Sequence, residues 1–312
     1  MMMRKVFGYA LSVAFVLSVL LTGCKTSTTG TTASPSGPTH VVTDDLGRSV
    51  TLPVEVRRVV SLAPSVTESV FAVGAGDKLV GDTTYCNYPE QAKAIAKVGD
   101  TMNPNMETIV GLKPDIVLVS TASQIEAFTK TLEQNGIAVY VMNPTSLDGV
   151  LTDLGKLGDM LGTPEKAGNL VLEIRRRINN VNASLVGADK TTVFVQISKE
   201  PLFTTGRDAF LNSVINAAGG RSVTSSVATA FPKLSKETAS TLNPEVIILS
   251  DSEDNAAPNE AFNSSPAVTQ KRVYKINADI ISRPGPRLVD ALEQIAADLH
   301  PEVFTSIKGA SY

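Results

Sequence analysis

The chain has 312 residues, of which 43% are hydrophobic and 19% are charged, and its formal net charge is −3. This weakly negative charge gives no reason to expect a nucleic-acid partner. Because the whole chain contains two histidines, His40 and His300, we also do not expect the histidine and carboxylate cluster of a bare zinc or manganese receptor.

The first residues have the pattern of an exported protein. Two positive charges, Arg4 and Lys5, precede an uncharged apolar run over residues 6–21 that is short for a membrane span. The run ends in Leu-Thr-Gly-Cys, which resembles the bacterial lipobox, where the peptide is cleaved before a cysteine that receives a diacylglyceryl group. We therefore predict a signal peptide over residues 1–23, a lipidated Cys24, and an extracytoplasmic location with the chain anchored to the membrane. An ordinary signal peptide or an N-terminal membrane anchor is the alternative.

Residues 24–40 predict a flexible tether. They are rich in Thr, Ser, Gly and Pro and contain nothing that could bury a core. Such a segment would hold a folded body near the membrane and leave it free to rotate. The body that follows, from about Val41, is roughly 270 residues long, which is enough for one large domain or two lobes.

Short β-rich runs alternate with helical patterns along the body, which predicts an α/β fold with mostly parallel sheets. Val41–Pro53 is typical of an opening hairpin. We expect strands at residues 59–62, 115–120, 138–142, 193–197, 246–249 and 273–276, and helices at residues 65–74, 107–112, 124–134, 209–217 and 287–299.

One long helical stretch divides this pattern. It begins at Pro164 and continues to about Val186, with apolar residues at three- and four-residue spacing. We therefore predict an N-terminal lobe over residues 41–162, a linking helix over residues 163–187 and a C-terminal lobe over residues 188–312.

The two lobes carry an internal repeat. Glu107–Ser120 (ETIVGLKPDIVLVS) aligns without a gap on Glu237–Ser250 (ETASTLNPEVIILS), and Ser69–Gly76 aligns in the same order on Ser213–Gly220. Chance similarity among helix-turn-strand units is the alternative. Two matches in one order favour duplicated lobes with a cleft between them, and such clefts are favoured ligand sites.

Three segments carry a resemblance to a known family: RVVSLAPSVTESVFAVGAGDKLVG, TTYCNYPEQA and VGDTMNPNMETIVGLKPDIVLVS. They resemble the helical-backbone (class III) solute-binding proteins of ABC importers, which include receptors for cobalamin, ferric siderophores and haem. The resemblance extends over about residues 41–300. It implies two α/β lobes joined by one long rigid helix, and a monomer that binds a small molecule in the cleft and delivers it to the membrane-spanning subunits of an importer.

The resemblance also implies a role for the two repeated glutamates. In the cobalamin importer of this family, one surface glutamate on each lobe docks on arginines of the membrane-spanning subunits, and Glu107 and Glu237 stand at the matching positions. A carboxylate–arginine pair supplies orientation and steering. The alternative is that each glutamate only favours a helix N-terminus electrostatically.

The resemblance implies a set of ligand-contacting residues in the cleft. Tyr85 matches an aromatic contact, and Thr101 or Met102, Ser120 and Phe231 stand where the cobalamin receptor has tryptophan, a residue that this chain lacks. Asp279 and Arg283 match polar residues that approach the ligand from the second lobe. Arg283 could face a carboxylate or amide of the ligand. The alternative is a proline-rich helix start with two solvated arginines, Arg283 and Arg287.

Several ligand classes remain open. A corrinoid is our first expectation, a ferric siderophore is the strongest rival, and haem is a third candidate because Tyr85, Tyr88 or Met102 could be an axial ligand. We expect no intrinsic cofactor, and the transported ligand itself would be the corrinoid or metal chelate. Because the chain has no GxSxG, HExxH or P-loop motif, we do not expect an enzyme.

Overall fold

The predicted hairpin opens the described part of the chain. The structure, a computed structural model, describes residues 37–120 and 125–308. Strand β1 (Thr39–Thr43) pairs antiparallel with strand β2 (Ser49–Pro53). In the turn between them, the Asp44 carboxylate accepts hydrogen bonds from the backbone N–H of Leu46 (3.0 Å) and of Arg48 (2.9 Å). The side chain thus replaces the backbone acceptors that a tight turn lacks.

A four-stranded parallel sheet forms the centre of the N-terminal lobe. Its strands follow continuous apolar runs, as expected when helices cover both faces of a sheet. The spatial order of the strands is β4-β3-β5-β6. In chain order the elements are β3 (Val59–Ser61), α1 (Pro64–Ala72), β4 (Leu79–Gly81), α2 (Met106–Gly111), β5 (Ile116–Ser120), α3 (Ile125–Gln134), β6 (Ala138–Met142) and α4 (Leu147–Met160).

The expected long helix follows as α5 (Pro164–Ser184), and it begins with proline at a position where the missing N–H costs nothing. Its buried residues, Ala167, Ile174 and Val181, recur every seven positions and form one face. One apolar cluster passes from α1 and α4 through this face into the second half of the chain. The linking helix is therefore packed into the core along its length.

The C-terminal lobe repeats the sheet order of the first. Its parallel strands lie in the order β11-β10-β7-β9, and the short β8 pairs antiparallel with β7. The elements are β7 (Thr191–Ser198), β8 (Phe203–Thr204), α6 (Leu211–Ala217), β9 (Gly220–Ser222), α7 (Lys236–Thr241), β10 (Val246–Asp251), α8 (Pro266–Thr269), β11 (Val273–Asn277), α9 (Ala278–Ser282), α10 (Leu288–Leu299) and α11 (Pro301–Lys308). The predicted fold class is confirmed.

The repeat has a structural basis at the sheet edge. Asp115, just before β5, accepts hydrogen bonds from the backbone N–H of Arg57 (2.8 Å) and of Arg58 (2.9 Å), which lead into β3. Its counterpart Glu245, just before β10, accepts one from the backbone N–H of Thr192 (2.7 Å) in β7. In each lobe the repeated carboxylate therefore ties one central strand to its neighbour.

One feature of the described chain differs from the sequence expectations, since helix α4 was not predicted. His300 lies between α10 and α11, where it is buried beside the carbonyl oxygen of Gly219. Among the described helices, none has both the length and the apolar character needed to cross a membrane.

Candidate ligand-binding site

A cavity of about 580 Å³, here called the cleft cavity, lies between the two lobes. Its walls come from the carboxyl ends of parallel strands, which is where open α/β sheets bind ligands. Ser120 ends β5, Met142 ends β6, and Asp279 follows β11. The lining residues are Ala63, Pro64, Ser65, Tyr85, Thr101, Ser120, Met142, Asn143, Pro144, Thr145, Asp208, Ala209, Phe210, Ala230, Phe231, Asp279, Ser282, Arg283 and Pro284.

The structure brings the predicted cleft residues together, with one exception. Residues from both lobes meet around the same cavity, namely Tyr85, Thr101, Ser120, Phe231, Asp279 and Arg283. Met102 does not line it. Its side chain is 48% exposed, and its backbone N–H donates to the Asp100 carboxylate (2.7 Å), which holds the loop in place. Of the alternatives Thr101 and Met102, the first is the one that faces the cavity.

Aromatic rings face the cavity from opposite lobes. Tyr85 is 60% exposed and Phe231 is 52% exposed, which is unusual for large apolar side chains. Phe210, which the sequence did not single out, adds a third ring from the start of α6. Exposed rings on facing walls can pack against the two sides of a flat ligand.

Arg283 lines the cavity but its guanidinium is already engaged. It is 11% exposed and donates to the carboxylates of Glu68 (2.8 Å) and Asp279 (2.7 Å) and to the side-chain oxygen of Asn87 (2.8 Å). Asn87 in turn donates to Asp279 (3.0 Å). We call Glu68, Asn87, Asp279, Arg283 and Arg287 the Glu68 cluster. The positive charge of Arg283 is therefore compensated before any ligand arrives.

Arg287 is also paired, which excludes the interpretation of two solvated arginines. Its Nε and Nη2 each lie 2.7 Å from a Glu68 oxygen, and its guanidinium stacks 4.1 Å from the centre of the Tyr88 ring. Hydrogen bonding to Glu68 raises the pKa of Arg287. The sequence does contain a signal for Glu68, since it is an acidic residue among the buried positions of α1.

A second cavity of about 570 Å³ lies on the other side of the Glu68 cluster. Helices α1 and α5 and the start of α10 form its walls, and Glu68 and Arg287 belong to its lining. Of the residues predicted to contact a ligand, it is lined only by Tyr88, the alternative axial ligand of haem, and by none of the predicted cleft residues. For this reason the cleft cavity is the candidate site.

The repeated glutamates occupy equivalent helix starts. Glu107 and Glu237 are each the second residue of a six-residue helix, and both are exposed. The preceding Asn105 and Ser235 cap these helices by accepting the backbone N–H of the third helical residue, at 2.9 and 3.1 Å. Hydrogen bonds from its own backbone N–H and from the Ser235 hydroxyl lower the pKa of Glu237. The geometry is compatible with both docking and a helix-start role.

Other predictions concern residues outside the described part of the chain. The signal peptide, Cys24 and most of the tether precede residue 37, where the described part begins. Within the described residues, no group of three or more His, Cys, Asp or Glu side chains is arranged to hold a metal ion.

Comparison with known proteins gives the family. The profile of the periplasmic binding protein family matches residues 59–280. An uncharacterized ABC transporter substrate-binding lipoprotein of Bacillus subtilis (strain 168), YvrC, is 32% identical over 300 residues, which cover 92% of this chain and 95% of that protein. The vitamin B12-binding protein of Yersinia pestis (strain Pestoides F) is 30% identical over 251 residues, which cover 80% of this chain and 89% of that protein.

Solved structures agree with the sequence relatives. The periplasmic vitamin B12-binding protein of Vibrio cholerae is 29% identical, has a TM-score of 0.74, and the match covers 80% of this chain and 98% of that one. A periplasmic haem-binding protein of Pseudomonas aeruginosa is 26% identical, with a TM-score of 0.70 and coverage of 79% and 93%. The chain therefore belongs to the periplasmic binding protein family, as an ABC-importer solute-binding protein of the group with vitamin B12- and haem-binding members.

Proposed function

We propose that this protein captures a corrinoid in the cleft cavity and delivers it to the membrane-spanning subunits of an ABC importer. One observation carries the proposal: exposed aromatic rings from opposite lobes, Tyr85 and Phe231, face a cavity whose charged groups leave no uncompensated cation among its described lining residues. The cavity volume falls in the usual range for small-molecule sites.

The balance of charge in the cavity supports a corrinoid over an anionic chelate. The charged lining residues are Asp208, Asp279 and Arg283, and Arg283 is paired with two carboxylates. A ferric siderophore with ionised groups would need an uncompensated cation to offset its loss of water. The amide groups of a corrinoid need only neutral hydrogen-bond partners, which Ser65 and Asn143 supply in the lining.

Haem binding is the alternative that a specific residue favours. Tyr85 is exposed in the cavity, and a tyrosine oxygen can be an axial ligand of haem iron. Tyr88, by contrast, lies under Arg287 and lines the second cavity. Haem would therefore be held through Tyr85, with no free arginine for its carboxylates among the described residues of the cavity wall.

Calorimetric titration with cyanocobalamin, haem and a ferric chelate tests the proposal. We expect cyanocobalamin to bind most tightly, and Tyr85→Ala and Phe231→Ala each to weaken its binding by about 1–3 kcal/mol, the scale of a lost aromatic contact. Leu172→Ala, an exposed apolar residue of α5 outside the cavity, is the control and should leave binding unchanged. Tight binding of the ferric chelate with no binding of cyanocobalamin would make a siderophore receptor the correct assignment.

The anchor is part of the same proposal. The similar lipoprotein of Bacillus subtilis supports lipidation at Cys24, with residues 24–40 as a tether for the lobes and linking helix. Cys24→Ser should then move the protein from the membrane fraction to the soluble fraction of fractionated cells, with its folding unchanged. A folded variant that stays with the membranes would contradict lipid anchoring.

A further inference from the structure

The Glu68 cluster joins the two lobes at the wall of the cleft cavity. Glu68 belongs to α1 of the N-terminal lobe, and its side chain is 1% exposed. Both of its arginine partners come from the loop between α9 and α10 of the C-terminal lobe. The same loop presses directly on α1, since a Cβ at Gly285 would lie 3.3 Å from the carbonyl oxygen of Ser65.

The charges of the cluster balance. Two guanidinium groups, Arg283 and Arg287, meet two carboxylates, Glu68 and Asp279. An arginine stays protonated at any pH a protein survives, so only a neighbouring anion can cancel its charge. Glu68 serves both arginines, and it does so from a buried position where the interaction is weakly screened by salt.

Arg283 is the arginine of the cluster that lines the cleft cavity, so its net charge acts directly on a bound ligand. It lines the cleft cavity together with Asp279, whereas Glu68 and Arg287 line the second cavity behind it. Glu68 therefore lies outside the cleft cavity and acts on it through Arg283.

We propose that Glu68 is a positioning residue that determines specificity: by holding and neutralising Arg283, it makes the cleft select ligands without net negative charge. The inference rests on the proposed function of the cleft cavity as the ligand site. Without Glu68, one positive charge would be left over at the cavity wall, and an anionic ligand would gain a partner that a neutral ligand does not need.

The test compares ligands of different charge. Haem has two carboxylates that are ionised at neutral pH, whereas cyanocobalamin has none. Both ligands are titrated into the wild type and into Glu68→Gln. We expect haem to bind about tenfold more tightly to Glu68→Gln, and cyanocobalamin to change by less than about threefold. An equal loss of affinity for both ligands would show a merely structural role and overturn the proposal, as would unchanged affinities.

A reverse variant keeps the proposal testable if Glu68→Gln does not fold. Arg283→Gln leaves Glu68 with Arg287 and gives the cluster a net negative charge. We expect it to weaken haem binding about tenfold more than it changes cyanocobalamin binding, since Arg283 also lines the cavity. Unchanged haem binding in Arg283→Gln would overturn the proposal.

Glu293→Gln is the matched control. Glu293 is one of two carboxylates that bind Arg177 at the contact of α10 with α5, and it does not line the cleft cavity. Its substitution also removes an arginine–carboxylate pair between helices, although the Glu293 side chain is 42% exposed. We expect both affinities to stay at the wild-type values, and a shift in the haem-to-cyanocobalamin ratio would contradict a local effect of charge.

A titration with inorganic phosphate tests the role of Glu68 independently of the corrinoid assignment. We expect phosphate to shift the backbone amide NMR signals of Arg283 and its neighbours in Glu68→Gln but not in the wild type, whichever organic ligand binds. If cyanocobalamin fails to bind while phosphate behaves in this way, the corrinoid assignment falls and the role of Glu68 stands. If phosphate acts equally on both proteins, the role of Glu68 falls.

Discussion

The two lobes share a sheet order but bury different polar groups. All the acidic side chains buried in the described residues lie before the linking helix, namely Asp44, Glu68, Asp82 and Asp153. The C-terminal lobe buries amides instead, namely Gln196, Asn212, Asn255 and Asn259. The lobes therefore share a backbone arrangement and not an interior chemistry.

The buried carboxylates attach separate parts of the molecule to the N-terminal lobe. Asp44, in the hairpin, accepts the backbone N–H of Val141 (3.4 Å) in β6, and Asp82 binds Lys97 (2.7 Å) in the loop before α2. Glu68 holds the C-terminal lobe. A charged acceptor forms stronger hydrogen bonds than a neutral one, but its charge must be compensated wherever the group is ionised.

The amides of the C-terminal lobe form a neutral network. Gln196 in β7 donates to the side-chain oxygen of Asn255 (2.6 Å) and accepts the backbone N–H of Asn259 (2.8 Å). Asn255 also donates to the carbonyl oxygens of Gln196 (2.9 Å) and Ser250 (2.8 Å). These groups do not titrate, so the comparison predicts that buried carboxyl groups make stability depend on pH through the N-terminal lobe alone.

The lobes are alike on their surface, where each carries one repeated glutamate. Reversing the charge of both glutamates should have the largest effect of all the variants, on ligand uptake. Glu107→Lys with Glu237→Lys should abolish uptake of the ligand in cells, because lysines would face the arginines expected on the importer. Folding stability should change by about 0.5 kcal/mol per site, since both side chains are exposed. Ligand titration and cellular uptake are measured on the same variant.

Two other glutamates are the matched control for that prediction. Glu165 and Glu302 are also exposed second residues of helices, α5 and α11, but they are not part of the repeat. Glu165→Lys with Glu302→Lys should leave uptake intact. Normal uptake after reversal of Glu107 and Glu237 would show that these two residues, like the controls, only favour their helix starts.

Inside the C-terminal lobe, Asn255→Ala should cause the largest loss of stability. It leaves the buried carbonyl oxygens of Gln196 and Ser250 without their amide donor, and such a loss costs about 2–4 kcal/mol when several bonds are broken. Urea unfolding measures the effect, which should be equal at pH 5 and pH 8. Asn263→Ala, at an exposed position, should stay within about 0.5 kcal/mol of the wild type. A loss below about 1 kcal/mol for Asn255→Ala would mean that water replaces the network.

The strands and the cleft were predictable from the sequence because their signals are local. Continuous apolar runs mark β5 and β10, and the hairpin turn is marked by Asp44-Asp45-Leu46-Gly47. The aromatic residues of the cleft, Tyr85 and Phe231, were identified from family motifs, and both line the cavity. Phe210 has no such motif and was missed.

Helix α4 was missed because its sequence argues against a helix. It contains Gly149, Gly155 and Gly158, and each interior glycine costs about 0.5–1 kcal/mol relative to alanine. Tertiary packing reverses this preference. A Cβ at Gly158 would lie 2.2 Å from the Cβ of Ala167, so the glycine is what allows α4 and α5 to approach each other.

The Glu68 cluster was missed because its partners are far apart in the chain. Glu68 and Arg283 are separated by 215 positions, and neither residue has a local pattern that names the other. Single-sequence patterns report neighbours within a turn or a strand pair, whereas an ion pair between lobes depends on how the lobes meet. The two arginines therefore suggested either ligand contacts or solvated side chains.

The smallest expected effect tests the pH dependence that comes from the buried carboxyl groups, and it concerns Asp153 in α4. Burial, together with the facing carboxylate of Asp45, raises the pKa of Asp153 to about 8, against the opposing effect of Lys156. For Asp45, burial alone would raise the pKa. Hydrogen bonds from Lys156 and from the backbone N–H of Asn143 outweigh burial and lower the pKa of Asp45. The two carboxylates thus carry one proton between them at neutral pH.

The sign of the effect follows from proton binding in the two states. Between the ordinary aspartate pKa of 3.8 and about 8, folded Asp153 keeps a proton that the unfolded chain has released, so the free energy of unfolding falls as the pH rises. Asp82, whose pKa burial raises to about 6, adds a decline of the same sign at lower pH.

Asp153→Asn should therefore gain about 1–3 kcal/mol over the wild type between pH 5 and pH 8, because the amide has no proton to lose. Urea unfolding at several pH values gives this difference, and Asp159→Asn, exposed in the same helix, should run parallel to the wild type. A constant difference between Asp153→Asn and the wild type across this range would show that Asp153 is ionised in the folded protein, and the contrast between the lobes would then lie in their geometry alone.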